Sequence, residues 1–198
     1  MSNAAARRRI VVGITGASGV AYGIRALDVL MQAGIETHLI LSKAAELTMT
    51  YETDLKPADV KARASVCYAS GDIGAAISSG SFRTMGMLIV PCSVRTMSEI
   101  ATGVTGTLMS RAADVVLKER RRLVLGVRET PLHSGHLRTL LQLSDMGAVI
   151  APLVPAFYSR PQSLEALVDH TVGRLLDLFD IETDIVKVAG TYNQLGYH

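Results

Sequence analysis

Two hydrophobic rhythms alternate along the chain, and each switch between them predicts an element. Ile10 to Ile14 is short, apolar and β-branched, which reads as a buried strand. Gly16 and Gly19 then bracket Ala17 and Ser18, so the strand turns abruptly into a helix start. Val20, Ile24, Leu27, Leu30 and Met31 recur at helical spacing, with Gly34 as the stop. Glu36 to Leu41 reads as a second strand, residues 43 to 50 as a helix, and the polar run Tyr51 to Lys56 as a loop carrying Glu52. After a mixed stretch, Ile77-Ser-Ser-Gly-Ser-Phe82 is flexible and exposed in character. Met87 to Val90 forms a third strand ending in Pro91, Leu108 to Arg120 a helix, and Leu123 to Val127 a fourth strand. A helix over roughly His136 to Met146 and a fifth strand at Ala148 to Ala151 follow. In the last helix Leu164, Leu167, Val168, Val172, Leu175, Leu176 and Phe179 form one stripe, with Ser163 as its cap.

Strands alternating with short crossover helices imply a parallel sheet with ligands outside the carboxyl ends of its strands. The expected fold is α/β, a three-layer α-β-α Rossmann-like domain with a mainly parallel sheet. With 198 residues, 48% of them hydrophobic, and no break in composition, the chain is expected to be one domain. A flexible N-terminus over residues 1 to 8 and an aperiodic tail over 182 to 198 flank it.

Charge and composition narrow the function. Net charge is only +2, aromatic residues are sparse, and the basic residues are scattered outside Arg7 to Arg9 and Lys118 to Arg122, so no nucleic-acid surface is expected. Cys67 and Cys92 form no CxxC pair and the five histidines no metal spacing, which predicts no metal site and a reduced, cytoplasmic setting. No stretch approaches 18 apolar residues, and the basic N-terminus lacks a cleavage-type ending, so neither a membrane span nor export is expected.

Chemistry gathers at the strand ends. The turn after Ile14 would aim unpaired N–H groups and a helix dipole at one spot, a seat for phosphate; Ser18 could equally be only a helix cap. Glycines at 13, 16 and 19 fit neither the dinucleotide fingerprint nor the Walker loop, so triphosphate hydrolysis is not expected. Ser42 closes the second strand, and Pro91-Cys-Ser-Val-Arg-Thr96 is a second strand-to-helix turn, whose Ser93 and Thr96 either cap a helix or bind a polyol. Arg128 and Glu129 end the fourth strand. Arg111 and Lys118, seven residues apart, share a helix face and form an anion clamp if they face a pocket, or a solvated pair if they do not. Phe157 and Tyr158 stand in a loop with three prolines, as a ligand wall or a cover for the sheet end. Arg174 borders the last apolar stripe, where it can snorkel, pair or bind phosphate. The pattern points to a phosphorylated cofactor with a polar arm.

Nine pieces in register then carry a resemblance: TGASG at 15 to 19, LSKAAEL at 41 to 47, ETD at 52 to 54, ISSGSF at 77 to 82, PCS at 91 to 93, ATG at 101 to 103, RAADVVLKERR at 111 to 121, LVLGVRETPL at 123 to 132 and PAFYSRPQSLEALVDHTVGRLLD at 155 to 177. Together they resemble the UbiX/Pad1 family of flavin prenyltransferases. The resemblance implies an enzyme that takes a dimethylallyl group from dimethylallyl phosphate and joins it to N5 and C6 of reduced FMN without a metal. The product would be the prenylated FMN used by UbiD-type decarboxylases. By position, Gly16, Ala17, Ser18, Ser42, Ser93, Val94, Arg95, Thr96 and Arg128 would hold FMN. Tyr158 and Arg174 would hold dimethylallyl phosphate from a neighbouring subunit, with Lys118 and Arg111 close to the same phosphate. Glu52, Glu129, Lys118 and Ser18 would form the catalytic set, with Glu52 preferred for proton transfer and Glu129 on the phosphate side, or in a structural ion pair with Arg128 or Arg111. The family's habit of building dodecamers from trimers is expected here too.

The chain departs from that pattern at Arg95, at Gly106-Thr107 and over Ser134 to Thr139. Two other readings share the flavin. One is an FMN-binding carrier or accessory subunit of an aromatic acid decarboxylase. The other is a relative of the FMN-dependent cysteine decarboxylases, which would need a histidine after the first helix, whereas His38 falls inside a predicted strand.

Overall fold

Six strands, all parallel, form one sheet in the order β3-β2-β1-β4-β5-β6 in the computed structural model, which describes residues 8–185. The strands are β1 (Arg9–Ile14), β2 (Glu36–Leu41), β3 (Val66–Tyr68), β4 (Gly86–Cys92), β5 (Arg122–Val127) and β6 (Val149–Ile150). Around them lie α1 (Val20–Gln32), α2 (Lys43–Glu52), α3 (Pro57–Lys61), α4 (Val94–Ala101), α5 (Leu108–Lys118), α6 (Ser134–Asp145) and α7 (Leu164–Asp177). The chain winds outward in both directions from the β1/β4 pair, so a crevice opens above the carboxyl ends of those two strands.

The two faces of the sheet sort the helices. On β1, Ile10, Val12 and Ile14 pack with Leu27 and Leu30 of α1 and Val172 and Leu176 of α7, while Val11 turns to the side of α4, α5 and α6. Side chains alternate across a strand, so this division follows from the apolar run itself. Two glycines set the closeness of the layers. A Cβ on Gly23 of α1 would stand 2.4 Å from the Val90 carbonyl oxygen, and one on Gly13 of β1 would stand 2.5 Å from Met109 Sδ. Gly34 takes φ 68° just beyond α1 and ends it as the sequence predicts.

Several boundaries differ from expectation. The strand β3 has no legible sequence signal, because it is three residues long and Val66 and Cys67 are exposed. The second helix continues to Glu52, which is therefore a helix terminus and not a loop residue. The third strand runs through the cis Val90–Pro91 bond to Cys92. The helix expected to reach Arg120 stops at Lys118, and Arg120 takes φ 55°. The helix α6 begins earlier than its periodicity suggests because His133 Nδ1 accepts from the N–H groups of Gly135 and His136 and caps it. In α7 the apolar stripe buries Val172, Leu175 and Leu176, but Leu164 is exposed. The expected N-terminal and C-terminal segments lie outside the described residues except for Arg8 and residues 182–185. No helix among the described residues is long and apolar enough to cross a membrane.

Candidate active site

The crevice is tied together by Thr15, a buried residue just past β1. Its Oγ1 donates to the Pro91 carbonyl at 2.7 Å and accepts from the Ser93 N–H at 2.9 Å. The Ser42 N–H donates to the Ile14 carbonyl at 3.1 Å, which draws the start of α2 to the same place. Ser42 then caps α2 through the Ala45 N–H, and Ser93 caps α4 through the Thr96 N–H while its Oγ donates to Thr96 Oγ1 at 3.1 Å. Thr107 caps α5, and the Leu108 N–H donates to the Ser70 carbonyl at 2.9 Å. Three helices thus begin around one cleft of about 390 Å³ whose walls include Thr15, Gly16, Ser42, Ser93, Thr96 and Thr107.

That convergence decides what the cleft can hold. The first-turn N–H groups of Lys43 and Ala44 in α2, and of Val94 and Arg95 in α4, find no acceptor among the described residues. Such N–H groups and the aligned peptide dipoles behind them favour an anion. A Cβ on Gly71 or Gly106, both lining the cleft, would meet no atom within 4 Å, whereas one on Gly16 would stand 2.4 Å from Ala44 Cβ. Gly16 is thus required for α2 to approach the β1 turn, and Gly71 and Gly106 leave the mouth open. Hydroxyls of Ser42, Ser93, Thr96 and Thr107 with the apolar Met109 complete a donor set that fits a phosphate monoester on a polyol arm, the chemistry of FMN.

The turn into α1 behaves differently from the expectation of a free phosphate seat. Ser18 is exposed and does not cap the helix; Gly19, at φ 98°, stands in the cap position. The Glu52 carboxylate closes this helix end instead, accepting from the Gly19 N–H at 2.9 and 3.1 Å and from the Val20 N–H at 3.0 Å. The anion at the start of α1 is the protein's own. Gly16 lines the cleft, while half-buried Ala17 and exposed Ser18 do not; they precede Gly19, whose N–H Glu52 holds.

The remaining predicted residues divide by edge of the sheet. Arg128 and Glu129 stand exposed at the carboxyl edge, where the Arg128 N–H donates to the Cys92 carbonyl at 3.1 Å. Glu129 accepts from the Thr130 N–H and forms no ion pair with Arg128 or Arg111 among the described residues, and Arg111 holds Asp114 at 2.9 Å. Lys118 is the last residue of α5, next to the start of β5 at the amino edge, and holds Glu119 at 3.0 Å. At about 1.5 Å per residue, the helix puts Lys118 roughly 10 Å beyond Arg111. Within one chain the two are therefore no clamp. Tyr158 is folded onto α7, its hydroxyl 3.0 Å from His170 Nε2, and Arg174 holds Asp177 at 2.6 Å in the last turn of that helix. That end of α7 also lies at the amino edge, because the Leu178 carbonyl accepts from Arg122 at the start of β5.

Two other groups are removed from the chemistry. The Cys92 thiol, fully buried, is pushed up to about 12 by burial and is no nucleophile. His38 lies under the sheet, bonded to Tyr68 Oη and Glu36 Oε1 at 2.9 Å each, and does not line the cleft, which takes away the residue a cysteine decarboxylase would need. Sequence reasoning passed over Thr15, Lys43 and Ser70, and noted Thr107 only as a departure from the family pattern. Thr15 and Lys43 stand inside quoted motifs, but their roles come from partners far along the chain.

Likeness to known proteins follows the geometry. The flavoprotein family profile matches residues 1–190. The flavin prenyltransferase UbiX of Escherichia coli K12 is 57% identical over 175 residues, covering 88% of this chain and 93% of that protein. The UbiX of Thauera aromatica is 50% identical over 177 residues, covering 89% and 91%. Among solved structures, AnUbiX (PadA1) in complex with FMN and dimethylallyl pyrophosphate superposes with a TM-score of 0.92 at 50% identity, covering 97% of this chain and all of that one. A dodecameric FMN-dependent UbiX-like decarboxylase from Escherichia coli O157:H7 superposes with a TM-score of 0.89 at 44% identity, covering 91% of this chain and 98% of that one. On this likeness, which spans the sheet, the cleft and nearly the whole length, the chain belongs to the UbiX family of flavin prenyltransferases.

Proposed function

We propose that this chain joins the dimethylallyl group of dimethylallyl phosphate to N5 and C6 of reduced FMN, yielding prenylated FMN for a UbiD-type decarboxylase in the cytoplasm. The observation that carries the reading is the convergence of the α2, α4 and α5 starts, with their hydroxyl caps, on one cleft at the β1/β4 crevice. Gly16, Ser42, Ser93, Val94, Arg95 and Thr96 hold the flavin phosphate and its polyol arm there, with Ala17, Ser18 and Arg128 alongside. When bound, the reduced flavin supplies the electron-rich ring that takes the allyl carbon.

The chain's own residues serve the two charges of the reaction. Breaking an allylic C–O bond builds negative charge on the leaving phosphate, which cations and donors such as Lys118, Arg111, Tyr158 and Arg174 stabilise. Closure at C6 releases a proton, and Glu52 takes it, its carboxylate aimed by the Gly19 and Val20 N–H groups. Glu129 stands on the phosphate side, and Ser18 borders Glu52 on the α1 turn.

Lys118 and Arg174 stand at the amino edge of the sheet and the cleft at the carboxyl edge, so one chain does not complete this site. A homo-oligomer does. We assign the missing cations to a neighbouring subunit in a trimer-based dodecamer, a reading supported by the dodecameric relative and by the exposed Val154 and Phe157 beside Tyr158.

The test is anaerobic incubation of the protein with reduced FMN and dimethylallyl phosphate, followed by mass analysis of the released flavin. A gain of one C5 unit is the expected result. FMN that is bound yet unchanged would instead favour a carrier role.

A further inference from the structure

Lys43 opens α2 directly after its cap, Ser42. Aligned peptide dipoles repel a positive charge at that position and favour a carboxylate. The acid in the first turn of α2 is Glu46, and it is spent on Lys61 at 2.6 Å. Lys118 likewise holds Glu119. Lys43 is exposed, lines the cleft, and pairs with no carboxylate among the described residues. The one carboxylate in the described lining, Glu99, is already held by Arg95 at 2.8 Å. The cleft therefore carries a cation where its own helix disfavours one, next to four N–H groups without acceptors.

We propose that Lys43 binds the phosphate of FMN and makes the cleft select a flavin carrying that dianion over riboflavin. The inference rests on the FMN reading of the cleft. Its physical signature has two parts of opposite sign. In the flavin-free protein Lys43 opposes the α2 dipole and contributes nothing to folding; with the phosphate seated between them, helix and lysine pull on the same charge.

The experiment titrates the full-length protein with FMN and with riboflavin, following flavin fluorescence, for the wild type, Lys43→Met, Lys43→Arg and Lys43→Glu. Thermal melting of each without flavin accompanies it. Loss of a charge-assisted contact is expected to weaken FMN about tenfold in Lys43→Met. Riboflavin affinity stays within about twofold, since riboflavin has no phosphate for the lysine to reach. Lys43→Arg keeps most of the FMN affinity. Lys43→Glu weakens FMN further, while its flavin-free melting temperature is equal to the wild type or about 2 °C higher, the sign expected for an acid at a helix start. Unchanged FMN affinity in Lys43→Met, or equal losses for FMN and riboflavin, would overturn the proposal. A wild-type protein that binds neither flavin would overturn the FMN reading of the cleft itself, and that result is distinct from a failure of Lys43 alone.

Discussion

The carboxylate of Glu52 accepts from the backbone N–H of Gly19 at 2.9 and 3.1 Å, so the last residue of α2 closes the first turn of α1 across 33 positions of sequence. A carboxylate held by two backbone donors is oriented without a cation beside it, as the proposed proton transfer requires. Glu52→Gln keeps one acceptor oxygen for the helix and loses the base. Turnover is expected to fall by about 10²–10³. The helix end loses about 1 kcal/mol or less, so the fold survives and FMN still binds. Near-normal turnover, measured by mass analysis of the flavin, would remove Glu52 from the chemistry.

Thr15 offers a structural test of the crevice. Its hydroxyl serves the Pro91 carbonyl and the Ser93 N–H at once, both near the β1/β4 switch. Thr15→Val keeps the shape but leaves the Ser93 N–H unpaired and the Pro91 carbonyl with only the Thr15 N–H at 3.3 Å, at a cost of about 1–3 kcal/mol. Thr15→Ser keeps both bonds and costs less than half of that. Urea unfolding of the two variants, with FMN titration alongside, checks the order; a larger loss in Thr15→Ser than in Thr15→Val would mean that the methyl group and not the hydroxyl matters.

Gly23→Ala and Gly13→Ala test how the layers are spaced. At Gly23 the new Cβ meets the Val90 backbone carbonyl at 2.4 Å, which moves only with β4, whereas at Gly13 it meets the flexible Met109 side chain. Gly23→Ala is expected to cost about 2–3 kcal/mol and Gly13→Ala about half as much. Melting curves that reverse this order would contradict the packing described.

The pH dependence of stability follows from His38. Burial pushes its imidazole below the ordinary value, and the hydrogen bond it donates to Glu36 only partly opposes that. The folded state therefore binds this proton less readily than the unfolded chain. Stability is full above the ordinary histidine value of about 6.5 and falls as pH drops below it, by at most about 1.4 kcal/mol per pH unit for one group. Between pH 7.5 and pH 5, His38→Gln should show a flatter slope in urea unfolding than the wild type. Identical slopes would mean that His38 binds its proton equally well in the folded and unfolded chain.

Separation of Lys118 from the cleft predicts complementation between subunits. Lys118→Ala and Glu52→Gln should each be inactive alone. Mixed by co-expression in equal amounts, they should recover activity, because about a quarter of randomly assembled sites would have both native residues. No recovery in a mixed oligomer confirmed by native mass measurement would place both residues in one chain's site.

Much of this architecture was legible in the order of residues. The β-branched runs at Ile10 to Ile14 and Leu123 to Val127, the helical period after Val20, the stop at Gly34 and the cap at Ser163 all act through neighbours within a few positions, so sequence alone determined them. The motifs likewise located Ser42 and Ser93 at strand ends, where the structure places them around one cleft. Other features depend on residues brought from far along the chain, and those only the tertiary structure decided. The strand β3 exists because β2 pairs with it, Glu52 closes α1 because α2 runs two residues further than its periodicity suggests, and Thr15 acquires a role only when β4 lies beside β1. The same is true of Arg111 and Lys118. Seven residues of helix put them on one face, as the spacing predicts, yet the direction of α5 carries Lys118 away from the cleft to the opposite edge of the sheet.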